Sequence, residues 1–343
     1  MSAGPAIELS VVIAVYNSSA TLRDLVLRLT AVLAGTGLSY EMVFVNDGSS
    51  DNSWSILSEL QTHHADRIVA VNLMRNYGQH NALMCGFRRS RGRLVVTMDD
   101  DLQNPPEEIP KLLSRISMSE FDLVYGRYGG KQHESWRNLG SFLVNAFYRI
   151  VFKSKCTVTA FRIMRRELVE SILSYNLNFT FIDGLLAWNT QRIGDVLVEH
   201  HPRSEGRSGY SISKLIVLAL NLFTNFSLLP LQIVSALGFF VAAGGILGAG
   251  YYLLRYLFVG ISVPGYASTI IAILVLGGVQ LLSLGIFGEY LGRLHLNVNR
   301  KPQYVERQVI IPNHHSSPSF ESRREHAPTS QTGRPVPESV DGA

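Results

Sequence analysis

The N-terminal part of the chain alternates between two patterns of hydrophobic positions. Short apolar runs rich in β-branched residues predict buried strands at Leu9–Val15, Met42–Val45, Ile68–Leu73 and Leu94–Met98. Apolar residues at helical spacing predict helices over Ala20–Leu33, Asp51–Leu60 and Gln79–Arg89, and a further helix that starts near Pro105 or Pro106. This alternation predicts an α/β domain over residues 1–210, with a mainly parallel sheet flanked by helices on both faces.

A different pattern follows, in which apolar residues run on without any period. The two longest apolar stretches are Leu231–Leu254 and Ala267–Gly288, and Pro230 marks the start of the first. A helix needs about 20 apolar residues to cross a bilayer, so each stretch is long enough to span one. The sequence therefore predicts a two-helix transmembrane anchor over residues 230–290. The alternative is a buried helical hairpin of a soluble fold.

The residues that flank this anchor have their own compositions. Residues 211–229 mix apolar side chains with Asn, Thr and Ser, which predicts an amphipathic helix lying in the membrane interface. Residues 291–311 carry charges again and are predicted to be a cytoplasmic C-terminal segment. Residues 312–343 turn to Ser, Pro, His, Arg and Glu, which predicts a disordered tail.

Charges beside the two spans predict how the chain crosses the membrane. Lys214 precedes the first span, Arg293, Arg300 and Lys301 follow the second, and the connector Val259–Tyr266 is uncharged. Positively charged flanks stay on the cytoplasmic side. We therefore expect a multi-pass protein of the inner (cytoplasmic) membrane, with the α/β domain and both termini in the cytoplasm.

Composition narrows the class of partner. The net charge is +4, and Lys and Arg form no long basic block, so nucleic acid is not predicted as a ligand. Cys85 and Cys156 provide no disulfide framework and no CxxC pair. The N-terminus lacks the basic start and apolar centre of a signal peptide. A lipid bilayer is the partner that composition does predict, since the mean hydropathy is +0.14.

Polar side chains follow each predicted strand of the α/β domain. They are Tyr16-Asn17, Asn46-Asp47, Arg75-Asn76 and the acids from Asp99 to Asp101. Ligands of parallel sheets bind beyond the carboxyl ends of the strands, where these side chains would meet. The sequence contains neither GxGxxG after the first strand nor GxxxxGK[ST], so a Rossmann dinucleotide site or a P-loop is not predicted.

The stretch "MDDDLQNPPEEIP" (98–110) places three acids at the end of an apolar run. Like charges repel unless a cation lies between them, so the alternatives are a metal site or a solvated turn. Asp99, Asp101 and Gln103 offer the oxygen ligands that Mg²⁺ or Mn²⁺ prefers. Mg²⁺ commonly completes its shell with substrate phosphates. The spacing therefore suggests a metal that bridges a diphosphate.

Several motifs together resemble a known family. They are "VNDGSSD" (45–51), "RNYGQHNALMCGF" (75–87), the acid stretch, "YGRY" (125–128), "FRIMRRE" (161–167), "PRSEGRSGYS" (202–211) and "GEYLGRLHLNVNRKPQY" (288–304). The chain resembles family 2 glycosyltransferases of the GT-A fold. More narrowly, it is similar to the bacterial membrane-anchored polyprenyl-phosphate glycosyltransferases, a group that includes ArnC, GtrB and the dolichyl-phosphate mannose synthases. The likeness runs from about residue 8 to residue 310.

The resemblance implies a reaction and a set of site residues. The implied enzyme is metal-dependent and inverting, and moves a sugar from a nucleotide-diphosphate sugar to undecaprenyl or decaprenyl phosphate for cell-envelope glycan or lipid modification. Around the nucleotide it implies Ala14, Tyr16, Asn17, Asp47, Arg75 and Asp100. For the Mg²⁺ or Mn²⁺ ion it implies Asp99, Asp101 and Gln103, with Asp99 and Asp101 as the catalytic acids. For the acceptor phosphate it implies Arg127, Arg137, Ser141 and Arg203.

Two other functions stay open at this point. A processive polysaccharide synthase usually has a QxxRW motif and more spans, and Gln191-Arg192 lacks that pattern. A non-catalytic membrane protein that binds sugar nucleotides would keep the nucleotide residues without turnover. Gly244 and Gly248 have the GxxxG spacing that allows close helix packing. This spacing would allow two copies of the chain to associate as a homo-oligomer. The motifs recur among transferases for different sugars, so they imply no particular sugar, nucleotide or pathway.

Overall fold

A computed structural model describes most of the α/β domain and both long apolar helices. It describes residues 7–129, 158–175, 180–201, 229–259, 265–298 and 302–312. Three residues predicted for the acceptor phosphate, Arg137, Ser141 and Arg203, lie outside the described residues. So do nearly all of the predicted interfacial helix (211–228) and of the predicted tail (313–343).

One sheet of eight strands organises the part of the domain that the structure describes. The strands are β1 (Leu9–Val15), β2 (Tyr40–Asn46), β3 (Ile68–Leu73), β4 (Leu94–Thr97), β5 (Leu123–Tyr128), β6 (Arg162–Arg165), β7 (Ile193–Val198) and β8 (Glu306–Ile310). Their order is β7-β5-β6-β4-β1-β2-β3-β8. The pairs β1–β2, β1–β4, β2–β3 and β5–β7 are parallel, whereas β6 and β8 pair antiparallel to their neighbours. The four predicted strands are confirmed as β1 to β4.

Eight α-helices are described. They are α1 (Leu22–Gly35), α2 (Ser53–His63), α3 (Gln79–Arg89), α4 (Ile109–Ser117), α5 (Arg166–Leu173), α6 (Ile182–Asn189), α7 (Leu229–Val259) and α8 (Tyr266–Val298). A single 3₁₀ turn, Pro106–Glu108, leads into α4, where the two prolines predicted a helix start. Proline suits this position because the first N–H groups of a helix have no partner within it.

The helices cover the sheet on both faces, as the alternating pattern predicted. Helices α1, α2 and α4 pack on one face, around residues such as Val11 and Ile13 of β1. Helices α3, α5 and α6 pack on the other face, around Val12 of the same strand. Gly86 lets α3 lie close to β1, because a Cβ atom at this position would clash with the side chain of Val12. Each buried aliphatic side chain contributes about 1.5–3 kcal/mol to this packing.

None of the strands β5 to β8 was predicted from the sequence, and β8 lies furthest along the chain from the four predicted strands. It belongs to the predicted C-terminal segment 291–311, yet it pairs antiparallel with β3 at the edge of the sheet, with Val309 opposite Val71. Arg89 of α3 forms an ion pair with Glu306. Cys85 Sγ also donates to Glu306 Oε1 over 3.3 Å. The chain that leaves α8 therefore returns to the α/β domain.

Helices α7 and α8 contain the two predicted spans and extend beyond both of them. An 18-residue window in each, Leu231–Gly248 and Val275–Gly292, has mean hydropathy 1.9 and 1.3 and is not buried by the rest of the protein. Large side chains such as Leu247 (74% exposed) and Leu281 (72% exposed) face outward. No part of the chain that the structure describes covers these apolar surfaces, as a soluble helical hairpin would require. Both helices are long and apolar enough to cross a membrane.

Candidate active site

The loop after β1 is held against the end of β4 by one of the three acids. Tyr16 N donates to Asp100 Oδ2 over 3.1 Å, and the Ser18 hydroxyl donates to the same oxygen. Thr21 Oγ1 donates to the backbone carbonyl of Asp100 over 2.7 Å. Asp100, which was predicted to contact the nucleotide, therefore orders the loop that carries Tyr16 and Asn17.

Two other predicted nucleotide residues lie on this loop. Asn17 adopts a positive φ of 54°, and its Oδ1 accepts from the N–H of Ser50 over 2.8 Å, which joins the loops after β1 and β2. The ring of Tyr16 remains 51% exposed and can stack on a planar base. Ala14, near the end of β1, is half-buried against the helices on the α3 face.

Asp47 lies at the end of β2 and is almost fully buried. Its two oxygens accept from the N–H groups of Tyr77 (2.7 Å) and Gly78 (2.8 Å). Burial raises the pKa of Asp47, and the two N–H groups oppose that shift. Gly48 follows with a φ of +65°, and a Cβ atom there would overlap the backbone of Arg75. The predicted nucleotide residues Asp47 and Arg75 are thus brought together.

The acids after β4 form the negative centre of this edge. Asp99 is half-buried, and its Oδ1 accepts from Gln79 Nε2 over 2.7 Å. Burial and the neighbouring charges of Asp101 and Asp100 raise the pKa of Asp99 to about 6. Asp101 Oδ1 accepts from the N–H of Gln103 over 3.2 Å, in a tight turn where Leu102 has a φ of 59°.

The donor set fits a magnesium-type cation. Asp99 accepts from a neutral amide and Asp101 from a backbone N–H. Besides burial, the charge of Asp101 raises the pKa of Asp99, so the two carboxylates are close enough for one cation to stabilise both. Within the described ranges, no three His, Cys, Asp or Glu side chains are grouped so that they could enclose a metal by themselves. Mg²⁺ typically needs only one or two carboxylates, because water and substrate phosphates supply its other ligands.

A stacked aromatic pair borders the acids and was missed by sequence reasoning. The rings of Tyr128 and His200 stack with their centroids 4.1 Å apart. Burial raises the pKa of Tyr128 above its ordinary value, and the charges of Asp99 and Asp101 add to the shift. Burial lowers the pKa of His200. The sequence signals were the motif "YGRY", which ends at Tyr128, and the position of His200 shortly before the motif with Arg203.

Arg127 is the one predicted acceptor residue that the structure describes. It lies on β5 and is half-exposed, and its Nε donates to Asp195 Oδ2 of β7 over 2.9 Å. Successive side chains of a strand point to opposite faces, so Arg127 and Tyr128 project to different sides of the sheet. An acceptor phosphate at Arg127 would share the guanidinium with Asp195.

Behind the acids lies a buried polar cluster, which was also not predicted. Arg162 of β6 is fully buried and forms an ion pair with Asp183 of α6. The Tyr125 hydroxyl donates to Asp183 Oδ1 over 2.8 Å. His80 stands edge-on to the ring of Phe181, with centroids 5.5 Å apart, and burial lowers its pKa to about 4. The imidazole is therefore neutral at neutral pH.

Comparisons with known proteins identify the family of the chain. Residues 10–173 match the family model described as glycosyl transferase family 2. An uncharacterized glycosyltransferase of Synechocystis sp. is 37% identical over 305 residues, which cover 87% of this chain and 94% of that protein. The undecaprenyl-phosphate 4-deoxy-4-formamido-L-arabinose transferase of Pseudomonas aeruginosa is 36% identical over 308 residues, which cover 88% of this chain and 90% of that protein.

Two solved structures are similar at low sequence identity. Glucosyl-3-phosphoglycerate synthase from Mycobacterium tuberculosis, in complex with Mn²⁺, uridine diphosphate and phosphoglyceric acid, has a TM-score of 0.46 and 18% identity, over 64% of this chain and 76% of that one. Residues 1–349 of TarS from S. aureus, in complex with UDP-GlcNAc, have the same TM-score and identity, over 64% of this chain and 67% of that one. On the family model and the nearly full-length match to curated relatives, the chain belongs to glycosyltransferase family 2.

Proposed function

We propose that this protein transfers a sugar from a nucleotide-diphosphate sugar to a polyprenyl phosphate at the cytoplasmic face of the membrane, with inversion at the anomeric carbon. One observation carries the proposal. Asp99 and Asp101 lie side by side at the carboxyl edge of the sheet, in a chain that also has two helices of membrane-spanning length. The similarity to an undecaprenyl-phosphate sugar transferase supports the same class of acceptor.

The donor nucleotide would lie over the ends of β1, β2 and β3. The exposed Tyr16 offers a stacking surface for the base. Asp47 is buried and accepts from Tyr77 and Gly78, but each of its oxygens has a second lone pair that can accept from a base N–H. Arg75, whose guanidinium lies 4.6 Å from the ring centroid of Tyr77, is exposed and can reach the nucleotide. Asn17 and Ala14 would border this region, and Asp100 holds the loop in place.

The diphosphate would lie over the acids after β4. Asp99, Asp101 and Gln103 are the residues that would hold Mg²⁺ or Mn²⁺. When bound, such an ion supplies positive charge against the leaving nucleotide diphosphate. The described side chains hold the two carboxylates in position: Gln79 donates to Asp99, and the turn at Leu102 directs the N–H of Gln103 to Asp101.

The acceptor requires little help to become a nucleophile. A phosphate monoester has a second pKa near 6, so a lipid phosphate is largely dianionic at neutral pH. Arginine binds such a group through paired hydrogen bonds, which is the role proposed for Arg127 and, outside the described residues, for Arg137 and Arg203, with Ser141 as a further donor. The acids would then position substrates instead of abstracting a proton.

The apolar helices would keep this chemistry at the membrane surface. We propose that α7 and α8 cross the inner membrane with the catalytic domain and both termini in the cytoplasm, as the flanking positive charges predict. Gly244 and Gly248 of α7 offer a surface for close helix packing in a homo-oligomer. Labelling of a cysteine introduced into the connector 260–264 from outside the cell would test this topology.

A transfer assay tests the proposed reaction. The full chain in detergent would receive undecaprenyl phosphate and a panel of radiolabelled UDP-, GDP- and dTDP-sugars, with and without Mg²⁺ or Mn²⁺. We expect one donor to give a metal-dependent lipid product. We expect Asp101→Asn to lower its rate by at least about 100-fold, since charge stabilisation of the leaving group is lost. Asp66→Asn, an exposed acid paired with Arg67, is the control and should leave the rate unchanged.

Other outcomes of this assay would overturn the proposal in identifiable ways. Nucleotide binding without a lipid product for any donor would favour the non-catalytic sugar-nucleotide-binding protein. Products that carry many sugars would favour the processive polysaccharide synthase. A lipid product formed at the same rate by Asp101→Asn would remove the acids from the mechanism.

A further inference from the structure

One short turn joins the two acidic strand ends of the site. The turn Arg75–Gln79 connects β3 to α3, and its N–H groups at Tyr77 and Gly78 bind both oxygens of Asp47 at the end of β2. The next side chain, Gln79, donates to Asp99 at the end of β4 over 2.7 Å. Strand β1 lies between β2 and β4, so the turn reaches across the carboxyl end of the central strand.

The backbone of this turn is held firmly on both sides. Gly78 has a φ of +89°, a conformation that L side chains rarely adopt, and it directs the chain into α3. On the other side, Met74 N donates to the carbonyl of Val305, just before β8, over 2.9 Å. Arg307 donates back to the carbonyl of Met74 over 3.3 Å. Gln79 therefore extends from a fixed backbone although its own side chain is exposed.

The chemistry of Gln79 suits a residue that orients a metal-binding carboxylate. Its amide donates to Oδ1 of Asp99 and thereby restricts the rotation of the carboxylate, which would present Oδ2 to an incoming cation. The amide is neutral, so it does not compete with that cation as a lysine would. Residues that form hydrogen bonds to the ligands of a metal are known to change the affinity of the site for that metal.

We propose that Gln79 is a positioning residue that holds Asp99 for a divalent cation, and that the turn Arg75–Gln79 ties this cation site to Asp47 of the nucleotide site. The inference rests on the proposed function, since it assigns the cation to Asp99. It predicts a specific loss of cation affinity when the amide is removed. It also predicts that this loss depends on the carboxylate of Asp99.

Mn²⁺ alone is the probe that tests the inference. The full chain in detergent would be titrated with Mn²⁺, and the free ion would be followed by electron paramagnetic resonance. Gln79→Leu keeps the size of the side chain and removes its donor, and we expect about a tenfold weaker Mn²⁺ affinity, the value of one hydrogen bond to a charged group. Gln79→Lys should weaken it further, because the ammonium competes for Asp99. The matched control is Gln308→Leu, the same change at an exposed position of β8.

A double-mutant cycle separates positioning from a general loss of structure. In the Asp99→Asn background, Gln79→Leu should change the Mn²⁺ affinity by less than about twofold, because its effect acts through the missing carboxylate. An equal loss in both backgrounds would overturn the proposal. So would Gln79→Leu protein that binds Mn²⁺ as tightly as the wild type and Gln308→Leu.

The same preparations distinguish this inference from the proposed function. Wild-type protein that binds Mn²⁺ through Gln79 and Asp99 but forms no lipid product would overturn the transfer reaction alone. Wild-type protein that transfers sugar while Gln79→Leu binds Mn²⁺ normally would overturn the inference alone. Wild-type protein without measurable Mn²⁺ affinity would overturn the cation site and with it the role of Gln79.

Discussion

The ionisation of Asp99 affects both the stability of the fold and the affinity of the proposed site for a cation. Burial and two neighbouring acids raise its pKa to about 6, so the fold favours the protonated form over an unfolded chain, where the pKa is near 3.8. The stabilising contribution of Asp99 is therefore present at low pH and is lost as the pH rises through about 6. At neutral pH the folded protein holds a costly negative charge, and a bound cation offsets that cost.

This ionisation predicts how cation affinity depends on pH. Binding requires the ionised carboxylate, so we expect the Mn²⁺ affinity of the full chain to fall by roughly tenfold per pH unit below about pH 6 and to be nearly constant above pH 7. Titrations with Mn²⁺ between pH 5 and pH 8 measure this directly. In Asp99→Asn the affinity should be lower throughout, and the inflection near pH 6 should be absent. A wild-type affinity that does not change between pH 5 and pH 7 would contradict the prediction.

At the scale of elements, one ion pair joins β6 to α6 behind the site. Arg162 and Asp183 are both buried, and the Tyr125 hydroxyl completes the environment of the carboxylate. Arg162 pairs in register with Thr97 of β4, only two residues before Asp99. The cluster therefore anchors the strand from which the acids extend. Removing one partner of such a buried pair destabilises the fold, because the other charge remains buried without a compensating charge.

The buried pair leads to a prediction about stability. Asp183→Asn should cost about 3–5 kcal/mol and lower the melting temperature by roughly 10 °C, because the charge of Arg162 is left uncompensated. Thermal unfolding in detergent, followed by intrinsic fluorescence, would measure the change. The apolar double variant Arg162→Met/Asp183→Leu should recover much of the loss, since it removes both charges. A double variant less stable than Asp183→Asn would show that the charge of Arg162 is not the cause.

At the scale of the whole molecule, the two long apolar helices lie between segments of the chain that belong to the same sheet. The chain leaves the sheet, passes through α7 and α8, and returns as β8 to cover the edge strand β3. Glu306 at the start of β8 binds Arg89 of α3, and the carbonyl of Val305 holds Met74. The segment after the second apolar helix therefore supports β3 and the turn that contains Arg75. An uncovered edge strand is also an aggregation site.

Two truncations test whether β8 is part of the catalytic domain. A chain that ends at Val298 keeps both apolar helices and lacks β8, and we expect it to melt roughly 5–10 °C lower and to aggregate in detergent. A chain that ends at Pro312 keeps β8 and removes only the predicted tail, so it serves as the control. Size-exclusion chromatography and thermal unfolding would compare the two. Equal behaviour of both truncations would show that β8 is dispensable for the sheet.

Sequence reasoning predicted that the residues assigned to the nucleotide and the metal lie at one edge of the sheet, and the structure has them at the ends of β1 to β4. Parallel strands put their carboxyl ends on one edge, so Tyr16, Asp47, Arg75 and Asp99 could be assigned to a common region from hydrophobic patterning alone. The hydrogen bonds between these residues could not be predicted from the sequence. Asp100 binds the loop after β1 across 84 residues, counted from Tyr16, and Gln79 reaches Asp99 across 20. No local pattern in the sequence reports such contacts.

The sequence by itself determined the strand–helix alternation, the two apolar helices and the acids at a strand end, because each depends on the periodicity or composition of neighbouring residues. Only the tertiary structure decided the return of β8 to the sheet, the Tyr128–His200 stack and the buried Arg162–Asp183 pair. These features depend on which distant segments meet. Strand β8 in particular is a five-residue edge strand with half-exposed side chains, and such a strand has too little apolar surface to produce a pattern of its own.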